Sequence, residues 1–266
     1  MIRISDTEFG QFQRFIFETA GITLTDAKKA LVSGRLAKRV HACRVKNYGE
    51  YFRLLMSGES PVELQTAVDL LTTNETYFFR EPKHFDFLRR HVTAATARAA
   101  LRVWSAAGST GEEAYSIAML LEDLLPGQPW EVVASDISAR VLARAQVGHY
   151  SMDRIGNFPP GYLQRFCLKG RDSQAGTMLI ERRLRQKVRF LKVNLNAPLP
   201  HLGNFDVIFL RNVLIYFNTE TKRKVVGRVL SNLRPGGYLL IGHSESLIEV
   251  TDAVELVAPA IYRKPK

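Results

Sequence analysis

The spacing of apolar positions changes partway along the chain. Over residues 1 to about 70 they recur at helical intervals. FGQFQRFIFETAGI places its aromatics on one helix face. Before it, SDTEF offers Ser5 as an N-cap with acids in the first turn, and Gly21 reads as the C-cap. The stretch from Lys28 to Lys46, interleaved with Leu31, Leu36, Val40 and Val45, predicts a second helix, and NYGEYFRLLMSG a third. From about residue 75 the pattern alternates. LRVWSAA, WEVVASD, VRFLKVNL, FDVIFLRN and GGYLLIGHS predict strands, and EEAYSIAMLLEDLL, SARVLARAQ and KRKVVGRVLSNL predict helices between them. That alternation predicts an α/β fold around an open, mostly parallel sheet. One segment breaks the rhythm. Between about 158 and 190, short alternating runs flank the polar turn KGRDSQAG and predict a small antiparallel insertion. The expected organisation is a helical domain over 1–70 and an α/β domain over 75–266, interrupted by a β-subdomain at about 158–190.

Composition narrows the class. The chain has 266 residues, 46% of them hydrophobic, enough to bury a core. No apolar run approaches the ~20 residues of a membrane span, and MIRISDTEFGQF has no signal-peptide core. Cys43 and Cys167 stand far apart without metal-ligand spacing, which predicts reduced thiols in the cytoplasm. The net charge of +11 predicts an acidic partner or substrate, or simply a soluble basic protein. It is concentrated: Lys28, Lys29, Arg35, Lys38, Arg39, Arg44 and Lys46 fall within 19 residues that hold no acid. They form either a docking surface or a solvated helix face.

In an open parallel sheet the ligand lies beyond the carboxyl ends of the strands, so strand ends are where chemistry is sought. The first is GSTGEE. It lacks the lysine of a phosphate-binding loop and the third glycine of a dinucleotide turn. Glu112 and Glu113 would repel a pyrophosphate at the helix N-terminus but suit a cationic ligand with hydroxyl or amino groups. S-adenosylmethionine fits, with its sulfonium, ammonium and ribose and no phosphate. The same acids would also complement the helix dipole. Asp136 ends the next strand 25 positions after Gly111, where an acid bonds ribose hydroxyls; it would equally serve as a helix cap. Asn194 offers an amide to an adenine edge and Leu195 an apolar wall. Arg211 and Asn212 end a strand of buried character, where a charge needs a partner.

Together, TTNETYFFR, VWSAAGSTGEEAYSIA, SDIS, FDVIFLRNVLIYF and IGHSES resemble CheR, the chemotaxis-receptor glutamate methyltransferase family, over nearly the whole chain. The resemblance implies a class I, Rossmann-like S-adenosylmethionine-dependent methyltransferase sheet, an N-terminal helical domain that docks the receptor, and a small inserted antiparallel β-subdomain. It implies donor contacts at Asn74, Thr76, Arg80, Glu113, Asp136, Asn194, Leu195, Arg211 and Asn212, with Glu113 rather than Glu112 in the site. It places Arg80 and Tyr216 near the transferred methyl group. The implied reaction methylates glutamate carboxylates on the cytoplasmic helices of chemoreceptors and leaves S-adenosylhomocysteine. No metal, nucleic acid or membrane insertion is implied. Some members also grip a receptor C-terminal peptide through a glycine-rich turn of the β-subdomain; KGRDSQAG has few glycines and departs from that pattern.

The chemistry is consistent with the residues. A glutamate with pKa near 4.3 is ionised at neutral pH and needs no general base. The task is alignment, worth about 7–11 kcal/mol of barrier. Tyr216 is expected to orient the incoming carboxylate and Arg80 to shape the field, since too tight an arginine grip would stabilise the ground state. His243 and the pair Phe78–Phe79 read as structural. Two rival classes share the fold. A nucleic-acid methyltransferase acting on exocyclic amines would carry an Asp/Asn-Pro-Pro-aromatic turn after a middle strand. Here RNVLIY occupies that place, and Pro159–Pro160 lies in the insertion. A non-catalytic, cofactor-sensing scaffold is the other.

Overall fold

The computed structural model describes residues 3–95 and 100–266. The chain opens with α1 (Asp6–Ala20), α2 (Lys29–Ala42), α3 (Tyr48–Met56) and α4 (Pro61–Leu71). Ser5 caps α1 reciprocally with Glu8, and Gly21 ends it in the left-handed conformation at φ 73°. The sequence reading gave three helices here. The fourth starts at Ser60–Pro61, where proline at the first turn costs no helical hydrogen bond. Phe12, Ile16, Leu36, Val40, Tyr51 and Leu55 are fully buried between the four helices. Each contributes roughly 1.5–3 kcal/mol. Arg39 and Tyr51 both bond the buried Glu63 of α4, at 2.9 and 2.6 Å. These bonds hold its carboxyl below the usual range, with the Arg39 hydrogen bond as the main cause.

An irregular linker leads to α5 (Pro82–Ala95). There follow β1 (Leu101–Ser105), α6 (Glu112–Leu124), β2 (Trp130–Asp136), α7 (Ala139–Val147), β3 (His149–Ser151), α8 (Tyr162–Phe166), β4 (Cys167–Lys169), β5 (Thr177–Ile180), α9 (Arg182–Arg185), β6 (Val188–Lys192), β7 (Phe205–Leu210), α10 (Thr219–Ser231), β8 (Leu233–Ile241), β9 (Glu255–Ala258) and β10 (Ile261–Arg263). The large sheet has seven strands in the order β6-β2-β1-β7-β8-β10-β9. All pairs are parallel except those made by β10, which runs antiparallel to β8 and β9. Strand side chains alternate between two cores. Val103, Val207 and Phe209 face α5 and α6, while Trp104, Ile208 and Leu210 face α10. Strand order reverses between β1 and β7, so the crevice beyond their carboxyl ends is the expected ligand position.

The insertion is a three-stranded antiparallel sheet, β3-β5-β4. It spans 149–180 rather than about 158–190. Its first strand, HYS, is too short to show a period, and VRF belongs to β6 of the main sheet. Strands β9 and β10 were also not read from the pattern. No described helix is long and apolar enough to cross a membrane.

Candidate functional site

A cleft lies at the strand-order reversal. Asn74, Thr76, Arg80, Glu113, Asp136, Asn194, Leu195, Arg211, Asn212 and Tyr216 all line it. They come from five separate places in the sequence, and the sheet brings them together.

The turn after β1 forms one end. Gly111 takes φ 95°, and a Cβ there would stand 2.8 Å from both Ala145 and the Tyr150 hydroxyl. Only glycine lets α6 start this close to α7. The turn sends the two glutamates in different directions. Glu112 is buried away from the cleft, accepting from the Thr110 hydroxyl at 2.6 Å with Arg154 at 3.4 Å. Glu113 faces the cleft, accepting from Ser105 at 2.7 Å and pairing with Arg211 at 2.8 Å. Asp136 ends β2, and its two oxygens accept the backbone N–H groups of Ser109 and Ser138, both at 2.9 Å. Burial pushes its carboxyl above the usual range, against these bonds. Ser138, not Asp136, supplies the side-chain cap of α7.

The linker TTNETYFFRE forms a wall. Phe78 and Phe79 are buried and anchor it: Phe78 packs 5.0 Å from Tyr150, and Phe79 lies 5.1 Å from Phe85. Arg154 of the insertion donates to the Thr76 carbonyl at 2.9 Å. With the phenylalanines turned inward, Asn74, Thr76, Tyr77 and Arg80 face the cleft. Arg80 donates to the Glu75 carbonyl at 2.9 Å and lies 5.8 Å from the Tyr77 ring.

The opposite wall comes from β6, β7 and, unexpectedly, from the helical head. Asn194 spends one amide hydrogen on the Thr19 carbonyl of α1 at 2.6 Å and its oxygen accepts from Asn196 N–H. The other hydrogen and one lone pair remain for a ligand. Thr23 N–H donates to the Tyr216 carbonyl at 2.9 Å, and Ile22 bridges to Phe217. Ala20 and Ile22 therefore line the cleft. The Tyr216 ring is part-buried, and its hydroxyl makes no hydrogen bond among the described residues, although the Arg35 guanidinium lies within electrostatic reach.

Arg211 is almost fully enclosed, with 1% of its side chain exposed. Besides Glu113 it pairs with Glu81 at 3.1 Å and donates to the Arg80 carbonyl. Asn212, in the left-handed conformation at φ 56°, donates its side-chain amide to Glu81 at 3.2 Å. Glu245 of IGHSES accepts Asn212 N–H at 2.9 Å and Ile215 N–H at 3.2 Å, pinning the loop after β7. Sequence reasoning missed Glu81 and Glu245. The first looks like an ordinary acid before a helix-opening proline. The second sits inside a quoted motif, and its signal was there to be used. The backbone N–H of His243, not its ring, bonds Glu81, at 3.3 Å. Phe79, Glu81, Ser109 and Asn212 are all non-glycine residues at positive φ around this one cleft. Such local strain persists where the surroundings over-determine it.

The residues fit the donor inferred from sequence. Arg211 is neutralised by two carboxylates, and Glu113, Asp136 and three asparagine amides line the space. That set favours a cation with hydroxyl and amino groups over a phosphate. Val193, Leu195 and Phe217 supply an apolar wall for a flat ring.

Comparison with known proteins agrees. The family model "CheR methyltransferase, SAM binding domain" matches residues 74–262, and "CheR methyltransferase, all-alpha domain" matches 7–72. The chain is 38% identical over 268 residues to the chemotaxis protein methyltransferase of Escherichia coli (strain K12), covering 100% of this chain and 93% of that protein. It is 39% identical over 262 residues to chemotaxis protein methyltransferase 2 of Pseudomonas aeruginosa, covering 96% and 92%. Among solved structures, the N-methyltransferase NodS of Bradyrhizobium japonicum WM9 with S-adenosyl-l-homocysteine superposes with a TM-score of 0.42 at 14% identity, covering 74% of this chain and 95% of that one. With its matching all-α head, its donor-binding sheet and full-length relatives of one kind, this chain belongs to the CheR family of S-adenosylmethionine-dependent chemotaxis methyltransferases.

Proposed function

We propose that the enzyme methylates glutamate side-chain carboxylates on the cytoplasmic helices of chemoreceptors, forming methyl esters, and that the cleft residues named above hold the donor. The observation that carries this reading is the gathering of all ten side chains in one cleft, with Arg80 and Tyr216 among them. Bound there, S-adenosylmethionine supplies an electrophilic methyl carbon on a sulfonium. Asp136 accepts from the ribose hydroxyls, Glu113 faces the donor's positive charge, and Asn194 with Leu195 contacts the adenine. The Tyr216 hydroxyl donates to one oxygen of the incoming carboxylate and sets its line of approach. Arg80, whose guanidinium is steadied by the Glu75 carbonyl, draws the anion in without clamping it.

The test is transfer of labelled methyl groups to receptor cytoplasmic domains. Methanol released by alkali identifies an ester, and transfer to RNA instead would overturn the assignment. Donor binding with no transfer to any receptor domain would favour a sensing scaffold. Replacing Tyr216 with Phe is expected to lower kcat about 10- to 100-fold, the range of a lost hydrogen bond to a charged group. Donor affinity is expected to stay unchanged. Unaltered turnover would remove Tyr216 from the chemistry.

The basic face of α2 is assigned to docking an acidic receptor helix, by long-range attraction that weakens with salt. Its charges are not equivalent. Arg35 donates to the carbonyls of Leu71 and Thr72, both at 3.2 Å, and Arg39 is committed to Glu63. Lys28, Lys38, Arg44 and Lys46 are exposed. Reversing Lys28 and Lys38 to Glu is therefore expected to lower kcat/KM for receptor domains about 2- to 30-fold, from ~0.2–1 kcal/mol per exposed pair. The salt dependence should flatten and donor affinity should hold. Unchanged receptor kinetics would assign docking elsewhere. Cytoplasmic residence follows from this substrate. A receptor C-terminal peptide bound at the β-subdomain would be a second contact, to be measured by calorimetry with receptor tail peptides.

A further inference from the structure

Glu81 stands at a junction that neither the donor nor the receptor explains. It lies in the left-handed conformation at φ 57°, at the end of the linker and immediately before α5. One carboxylate oxygen accepts the Asn212 amide at 3.2 Å. The other faces Arg211 at 3.1 Å and His243 N–H at 3.3 Å. His84 Nδ1 lies 3.4 Å from that same oxygen. His84 is completely buried, and neither ring nitrogen has a hydrogen-bond partner. Its ring packs edge-on against His243 with centroids 4.8 Å apart.

Two functions compete for this arrangement. The donor atoms of Glu81, His84 and His243 lie within 4.8 Å of one another, a spread that a divalent cation could draw together. The Arg211 guanidinium, however, already faces the oxygen such an ion would take. A buried monocation at that distance opposes a second, larger positive charge. Burial and the nearby Arg211 also push the His84 imidazole down to about 3, so it stays neutral and adds no charge of its own. The cluster is therefore built around the guanidinium.

We infer that Glu81 is a positioning residue for methyl transfer: it fixes the side chains of Arg211 and Asn212 at the donor cleft, with the buried His84 ring beside it. Arg211 is held between Glu113 on α6 and Glu81 at the start of α5, so its guanidinium plane is set from both sides. The same carboxylate fixes the amide of the next residue, which occupies a strained backbone position. One side chain thus orients two consecutive cleft residues at the carboxyl end of β7. The inference rests on the reading that Arg211 and Asn212 face the donor.

The test is a double-mutant cycle on the full chain, with labelled methyl transfer to a receptor cytoplasmic domain as the readout. Glu81→Gln keeps the shape and loses the charge. It is expected to lower kcat/KM about 30-fold or more, as when one partner of a buried charge pair is removed. In an Arg211→Lys background the same change is expected to cost under about 3-fold, because the group through which it acts is already displaced. An equal loss in both backgrounds, or no loss in the first, overturns the inference. If Glu81→Gln fails to fold, the shorter Glu81→Asp carries the same cycle. Normal donor affinity and turnover in Arg211→Lys alone would instead defeat the site reading. Activity lost to a chelator and restored by Zn²⁺, with Co²⁺ absorption bands that vanish in His84→Asn, would make the cluster a cation site and also overturn the inference.

Discussion

Replacing Asp136 with Asn is expected to raise the dissociation constant for S-adenosylmethionine about 10- to 150-fold while the chain still folds. On the proposed reading Asp136 is both scaffold and donor ligand. Its two oxygens already accept Ser109 and Ser138 N–H groups, and the remaining lone pairs are those that would meet ribose hydroxyls. An amide in this place turns an NH₂ group toward one backbone donor, leaving that donor buried and unpaired at a cost of about 1–3 kcal/mol. It also exchanges a charged acceptor for a neutral one, about 1.5–3 kcal/mol in the bonds to the ligand. Calorimetric titration with the donor measures the first expectation, and a thermal transition measures the second. An unchanged affinity would mean that the ribose is held elsewhere. The pH dependence has a definite sign. Burial raises the Asp136 carboxyl above its unfolded value. The folded protein therefore binds more protons than the unfolded chain between those two values, and this group's contribution to stability falls as pH rises through that window. Donor affinity should run the other way, weakening as pH falls through the raised value and the acceptor is protonated.

Arg211→Ala is expected to have the largest effect on the fold itself. It leaves Glu81 and Glu113 facing each other's field without their shared cation. Removing one partner of a buried pair costs about 3–5 kcal/mol. At about 2–4 °C per kcal/mol for a domain of this size class, the thermal midpoint should drop by roughly 6–20 °C. Lysine should not rescue it, because the planar fork reaches Glu113, Glu81 and the Arg80 carbonyl together. The defect should depend on pH. Glu81 is held below the usual carboxylate range: burial opposes its charge, but Arg211 and Asn212 outweigh it. A depressed folded value contributes stability above the unfolded pKa and loses it as pH falls through the folded one. The gap between wild type and variant should therefore be widest at neutral pH and narrow in acid. A gap that is small at neutral pH, or independent of pH, would show that the pairing carries little of the fold.

The parts of the site that could be read directly from sequence are those that end strands. Asp136, Asn194, Arg211 and Asn212 each follow a run whose apolar pattern is unmistakable, and the sheet geometry says where such positions point. Asn74, Thr76 and Arg80 lie on a linker without a period, between two helices, and only the family resemblance reached them. Their placement depends on Phe78 and Phe79 turning inward, a tertiary fact that local pattern does not encode. Glu81 was invisible for the same reason, since its partners lie 130 and more residues away. The insertion was legible as an interruption but not in its bounds, because strands of three residues carry no alternation. In the basic stretch, composition counted every charge alike, while folding committed the half-buried Arg35 and Arg39 to partners within the chain and left Lys28 and Lys38 exposed.

The bonds from Thr19 and Thr23 to Asn194 and Tyr216 constrain how this enzyme can change. The helical head is no interchangeable adaptor, because it finishes the masonry of the proposed donor cleft from below. A hybrid that borrowed another protein's recognition helices would have to rebuild that floor before it could turn over. Under the proposed docking role, new targets are therefore more accessible by repainting the outward side of the existing head than by exchanging it.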